Sequence, residues 1–323
     1  MAVPEAIQSK QKSGVREIPA LRIGPDFFRA FCWIASVAVV VLIFWVVFQI
    51  AKVAWPAIQQ FGFGFLNHSA WNPVTDNYGI VPFLFGTLMS SAIAILVALP
   101  LGLAVSIFLS EDFLPLQARQ VVRFVIEMLA SIPSVVYGLW GIAVLIPLVE
   151  SAGKPIAAKL GSFGLLAGPV FGNSMITASL VLALMILPTI AAISRASLAS
   201  VPGTMREGAY ALGSTRWETI FGVIIPTALP GIVAASILAL GRAMGETMAV
   251  AMLIGNSSRF TWSLFQPAGT LASLLANQFA EADGIRINAL MYAALALMFL
   301  TLLVNIAGEG ILRFAQRKTA GLK

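Results

Sequence analysis

Apolar residues fall into six long runs, approximately Ala30–Ala54, Phe83–Leu109, Phe124–Val149, Ser174–Ser194, Leu229–Ile254 and Ala289–Ile311. Each is close to the roughly 20 residues that an α-helix needs to cross the hydrocarbon core of a bilayer. A single chain crossing lipid as separate segments must satisfy its backbone groups within each segment, which selects helices. The pattern therefore predicts an all-α polytopic membrane protein with six transmembrane helices. The first run exceeds the roughly 7–15 residues of a signal-peptide core, so it is read as an uncleaved helix. Between the runs, 55–82 is rich in aromatics and turn formers, with Trp55-Pro56 and Trp71-Asn72-Pro73. Within 255–288, Leu271, Leu274, Leu275 and Phe279 recur at helical spacing and predict a short amphipathic helix over 270–282, facing either the membrane surface or another subunit.

Composition agrees. Of 323 residues, 59% are hydrophobic and 11% charged, with mean hydropathy +0.91, whereas soluble domains carry about 25% charged residues. The net charge of +6 is carried between the apolar runs, which points to membrane topology and away from nucleic acid. With the N-terminus inside, fourteen Lys and Arg lie on the cytoplasmic side and five outside. The positive-inside rule selects that orientation. It gives a cytoplasmic segment 1–29, a six-helix domain 30–312 containing a cytoplasmic loop 195–228, and a basic cytoplasmic tail 313–323. Cys32 and His68 are the only residues of their kinds, so no disulfide or thiol–imidazole metal site is expected. No P-loop is present, so the chain is expected to be no ATPase and to need no cofactor; nucleotide energy would come from a partner.

Candidate chemistry sits where charge is costly. Arg242 and Glu246 lie near the middle of the fifth run, where a charge costs about 2.5–3.5 kcal/mol on insertion scales. Their i,i+4 spacing predicts an ion pair on one helix face, turned towards the bundle. Such a pair serves either as packing or as function. A guanidinium suits an oxyanion because its planar fork stays charged and binds two oxygens at once. In the third run, Ser131-Ile132-Pro133-Ser134-Val135-Val136-Tyr137-Gly138 predicts a proline kink flanked by the hydroxyls of Ser131, Ser134 and Tyr137. The kink has an alternative reading as a small-residue helix contact.

From Glu207 the chain reads Glu-Gly-Ala, three residues, Gly213, nine residues, then Val223-x-Ile225-Pro226. This resembles the EAA loop of ABC-importer permeases, with Gly208, Val223 and Ile225 as departures. In that family the loop is a cytoplasmic coupling helix that docks on an ATPase, which assigns Glu207, Gly208, Ala209 and Gly213 to the contact. Small Ala209 and Gly213 suit a close approach. Gly241-Arg-Ala-Met-Gly-Glu-Thr-Met-Ala249, the Ser131–Gly138 run, Trp71-Asn-Pro73 and Gly168-Pro-Val-Phe-Gly172 extend the likeness. From about residue 30 onward the chain resembles the PstC-type permeases of phosphate-specific ABC importers. The resemblance implies a type I ABC importer permease fold. It also implies a PstA-type sister permease, a pair of PstB-type ATPases and an external PstS-type binding protein. The cargo would be inorganic phosphate, and Arg242 and Glu246 would stand at positions needed for transport. Residues alone leave open the same architecture serving sulfate or molybdate. An ion-driven secondary transporter would show an inverted repeat, which the sequence lacks. An intramembrane enzyme would need a nucleophile–base pair, for which the residue types are wanting.

Overall fold

The computed structural model describes residues 25–111, 113, 115–160 and 164–320. Residues 1–24 of the expected N-terminal segment and 321–323 of the tail lie outside the described residues. Two compact units, 1–49 and 50–323, divide the chain. Helix α1 (Pro25–Phe61) supplies the first apolar helix, its side chains exposed over most of residues 28–49.

In the second unit, α2 (Gly64–Asn67) leads into a two-residue antiparallel ladder of β1 (Trp71–Asn72) and β2 (Asn77–Tyr78). Asp76 closes that turn with φ of 48°, a left-handed position that Asp tolerates better than most residues. Helix α3 (Val81–Ser110) opens with Pro82, where a missing N–H costs nothing, and runs 30 residues. A turn then leads to α4 (Leu116–Ser131), α5 (Ser134–Trp140), a wide-turn π segment Gly141–Leu145, and α6 (Ile146–Leu160). Helix α7 (Met175–Ala199) is followed by α8 (Gly203–Ala211) and α9 (Arg216–Thr219). A second π segment, Ile220–Ile224, runs directly into α10 (Ile225–Gly245). Helices α11 (Met248–Leu253), α12 (Leu271–Gln278) and α13 (Gly284–Ala320) complete the chain.

Among the described residues six helical stretches are long and apolar enough to span a membrane, as the sequence predicts. Two are displaced. The third is Ser134–Lys159 rather than Phe124–Val149. Residues 116–131 form a separate amphipathic helix, because Arg119, Arg123 and Glu127 recur every fourth position and Arg123 pairs with Glu127 at 2.7 Å. Pro133, lacking an N–H, then ends it with Ile132 extended. The fifth span is Arg216–Gly245, starting well before Leu229 and stopping before Ile254.

The main core lies among α3, α5, α7, α10 and α11, with Ala94, Ala98, Met175, Leu182, Ile186, Ile190, Ala239 and Leu253 essentially sealed. Small residues set the spacing: a Cβ on Gly102 of α3 would meet Ile190 of α7. A second cluster stacks Phe65 on Tyr292 (ring centroids 4.4 Å apart) and packs Trp71, Tyr78 and Phe83 edge-on. Burial, then a hydrogen bond to Asp76, pushes the Tyr78 phenol above its ordinary value. Helix α12 donates its Leu271 N–H to Thr87 of α3 and buries Leu271 and Leu274 in this cluster. Its apolar face is thus mostly spent within the chain, and only Phe279 stays half exposed.

Candidate functional site

Two regions hold the residues singled out by the sequence. The first centres on the break after α10. Gly245 ends the helix, Glu246 adopts extended backbone (φ −68°, ψ 128°), and the Thr247 hydroxyl donates to the Gly245 carbonyl. Glycine weakens the last turn, and threonine competes for the backbone as it does at helix starts. The expected i,i+4 pair is therefore not formed, since that spacing brings side chains together only on continuous helix. Glu246 Oε1 instead accepts the Ala249 N–H at 3.5 Å, at the start of α11. Arg242, in the last turn of α10, donates to the Thr189 hydroxyl of α7 at 3.4 Å.

Arg242 opens onto a groove of about 820 Å3 between α7, α10 and α13, lined also by Thr189, Gly241, Thr301, Asn305 and Glu309. Thr301, Asn305 and Glu309 follow at intervals of four on α13, so they form one polar stripe within its apolar stretch 289–311. That stripe was readable from the spacing, yet the sequence analysis weighed intramembrane charge only in the fifth run and passed over the polar positions of the sixth, Glu309 included. The guanidinium bonds the Thr189 hydroxyl here, Glu246 is turned away to the Ala249 N–H, and Glu309 on the groove wall is paired with Arg313 at 3.0 Å. Such a cation is available to an anion.

The third-run hydroxyls divide. Tyr137, buried in α5, donates to the Leu129 carbonyl of α4 at 2.8 Å and so bridges the break at Pro133. It also lies within electrostatic reach of Arg242. Gly138, beside it, gives α11 room to approach, since a Cβ there would meet Met252. Ser131 spends its hydroxyl on the Met128 carbonyl at 2.8 Å, and Ser134 begins α5 partly exposed.

The second region is the loop 195–228, which the structure resolves into α8, α9 and a π segment. Glu207 and Gly208 are exposed on α8, whereas Ala209 points inward and is buried. Gly213 has open space around it, so within this chain its role is conformational: φ is +86°. It closes α8 with a bond from its N–H to Tyr210 O, while Ser214 N–H reaches Ala209 O. That left-handed closure is the usual work of glycine at a helix end. Thr215 and Glu218 form a capping box that starts α9. Arg206 points into the protein, to Glu111 at the end of α3 and the carbonyls of Leu198 and Val201. The sequence analysis singled out neither Arg206 nor Glu111; the acidic dipeptide Glu111-Asp112 just after an apolar run was the only signal.

A solved bacterial alginate ABC transporter, in complex with alginate-bound periplasmic protein, has a chain sharing this fold with TM-score 0.57 at 13% identity. That match covers 89% of this chain and 96% of the other. By architecture this is a multi-pass membrane permease with the type I ABC importer fold. The chain belongs to the binding-protein-dependent transport system inner membrane component family, whose profile matches residues 98–321. It is 39% identical over 309 residues to the phosphate transport system permease protein PstC of Mesorhizobium japonicum, covering 94% of each chain. The PstC protein of Pasteurella multocida is 42% identical over 258 residues, covering 78% of this chain and 80% of the relative.

Proposed function

We propose that this chain is one of two permease subunits of an ATP-driven importer of inorganic phosphate. An external binding protein of PstS type delivers the anion, a PstA-type permease completes the path, and a pair of PstB-type ATPases supplies the energy. The 39% identity to a phosphate permease along 94% of the chain carries the reading of substrate and class. The orientation follows from charge: termini, the 110–123 turn and loop 195–228 in the cytoplasm of a bacterial inner membrane, loops 55–82 and 255–288 outside.

In this reading α8 receives the ATPase through Glu207 and Gly208, with Gly213 holding its end in shape. Movement of α8 passes through α9 and the π segment to α10, whose far end carries Arg242. Glu246 caps α11 and leaves Arg242 free to meet the anion, with Thr189 beside it. Tyr137, Ser131 and Ser134 border the path, Tyr137 by bracing the α4–α5 break. The chain itself performs no chemistry on phosphate; it binds, orients and releases.

The test is phosphate uptake by cells lacking their own high-affinity importer and given the partner subunits with or without this chain. Uptake should require the chain and the ATPase together. Uptake that survives its omission would refute the assignment.

A further inference from the structure

The turn between α3 and α4 is tied to the α8–α9 segment by two independent contacts. In the first, the Arg206 guanidinium of α8 joins three helix ends. Nη2 donates to Glu111 Oε1 at 3.2 Å and to Leu198 O at 2.8 Å, and Nη1 donates to Val201 O at 2.9 Å. Glu111 is the capping residue of α3, and Leu198 lies in the last turn of α7. The Arg206 and Glu111 side chains are largely withdrawn from water, 22% and 13% exposed, and a cation at a helix C-terminus is favoured by the helix dipole.

In the second contact, aromatic rings run from α3 across to α9. Phe108 packs on Phe113 with centroids 5.5 Å apart, Phe113 stacks on Trp217 at 5.1 Å, and Trp217 on Phe221 at 6.0 Å. The Arg216 guanidinium lies over Phe113, 5.5 Å from its centroid. Phe221 belongs to the π segment, so the ladder ends where wide helical turns lead into α10.

We propose that the 108–113 turn is a second arm of the coupling device, with Arg206 and Glu111 as its positioning pair. Displacement of α8 moves the ends of α3 and α7 directly, in addition to pulling α10 through the chain. Helices α3 and α7 are closely packed where Gly102 meets Ile190, so they travel as one body. The chain-connected route alone would reach α3 only through α7, which Ser200, Val201 and Pro202 join to α8. The inference rests on the reading of the chain as an ATP-driven permease.

Two measurements on the complete transporter test it. The first is phosphate moved per ATP hydrolysed in vesicles, for wild type, Arg206→Gln, Glu111→Gln and the charge exchange Arg206→Glu with Glu111→Arg. Coupling energies between sites correspond to changes of about 5- to 150-fold. Each single variant should keep the bound ATPase and its hydrolysis, and lose about tenfold in phosphate per ATP; the exchange should recover part of that ratio. Hydrolysis and uptake falling together at an unchanged ratio would mean the pair only stabilises the fold, and would overturn the proposal.

The second measurement is a spin-label distance between Ala104 of α3 and Ala211 of α8, in a Cys32→Ser chain. It does not depend on the substrate. One narrow distance should persist from nucleotide-free to ATP-trapped complexes, and Arg206→Gln should make it broaden or shift on ATP binding. A wild-type distance that changes with nucleotide would refute the joint movement. Wild-type vesicles that hydrolyse ATP without moving phosphate would count against the phosphate reading instead, leaving the distance to decide the coupling arm.

Discussion

Arg242 and Glu246 show how one backbone break changes what a pair of charges does. On continuous helix they would neutralise each other; with Glu246 extended, the carboxylate turns to the Ala249 N–H and the guanidinium to Thr189. A structural ion pair predicts that Arg242→Gln strands a buried carboxylate, at about 3–5 kcal/mol, and that adding Glu246→Gln restores function. The observed arrangement predicts otherwise: the double variant assembles to wild-type yield and stays inactive, as uptake assays and purification of the complex will show. At this scale the sequence disclosed which residues of the fifth run carry charge, because residue type is local. It did not disclose their partners, since hydropathy runs unbroken through Gly245 and Thr247, where the helix ends. Ser131 shows the same limit, with its hydroxyl already used by Met128 O.

Helices and turns were legible where hydropathy alone decides and displaced where it competes with a second signal. Phe124, Val125 and Ile126 looked like the start of a span, yet Arg123 and Glu127 pair on the outer face of α4, and Pro133 prevents continuation. The amphipathic stretch 270–282 was read correctly in kind; its cover, the aromatic cluster around Phe65 and Trp71, comes from residues some two hundred positions earlier. Gly213 was read as a site of close approach, and the structure shows instead a left-handed residue in open space. A non-glycine residue there costs about 1–2 kcal/mol. Gly213→Ala should therefore lower the melting temperature of the purified permease and weaken ATPase recovery. Gly213→Asn, which tolerates that backbone region, should restore most of both. Equal behaviour of the two variants would mean that bulk, not backbone conformation, governs the position.

Across the molecule, six spans place the α8 region and the aromatic cluster with α12 on opposite faces of the membrane in the proposed orientation. A membrane-impermeant thiol reagent applied to intact cells should label Val74→Cys and Trp262→Cys and leave Ala211→Cys untouched until the membrane is opened, all in a Cys32→Ser chain. Labelling of Ala211→Cys from outside would invert the topology and remove α8 from the ATPase. Arg242 lies in the last turn of the fifth span, beside a groove that includes the α13 stripe. The most direct test of the account is ATP-driven phosphate accumulation by vesicles containing the complete transporter with Arg242, Arg242→Lys or Arg242→Gln. Wild type should accumulate phosphate, Arg242→Gln should assemble and accumulate none, and Arg242→Lys should stay impaired because it keeps the charge without the planar fork. Accumulation at the wild-type rate by Arg242→Gln would contradict the claim that this arginine lies on the anion path.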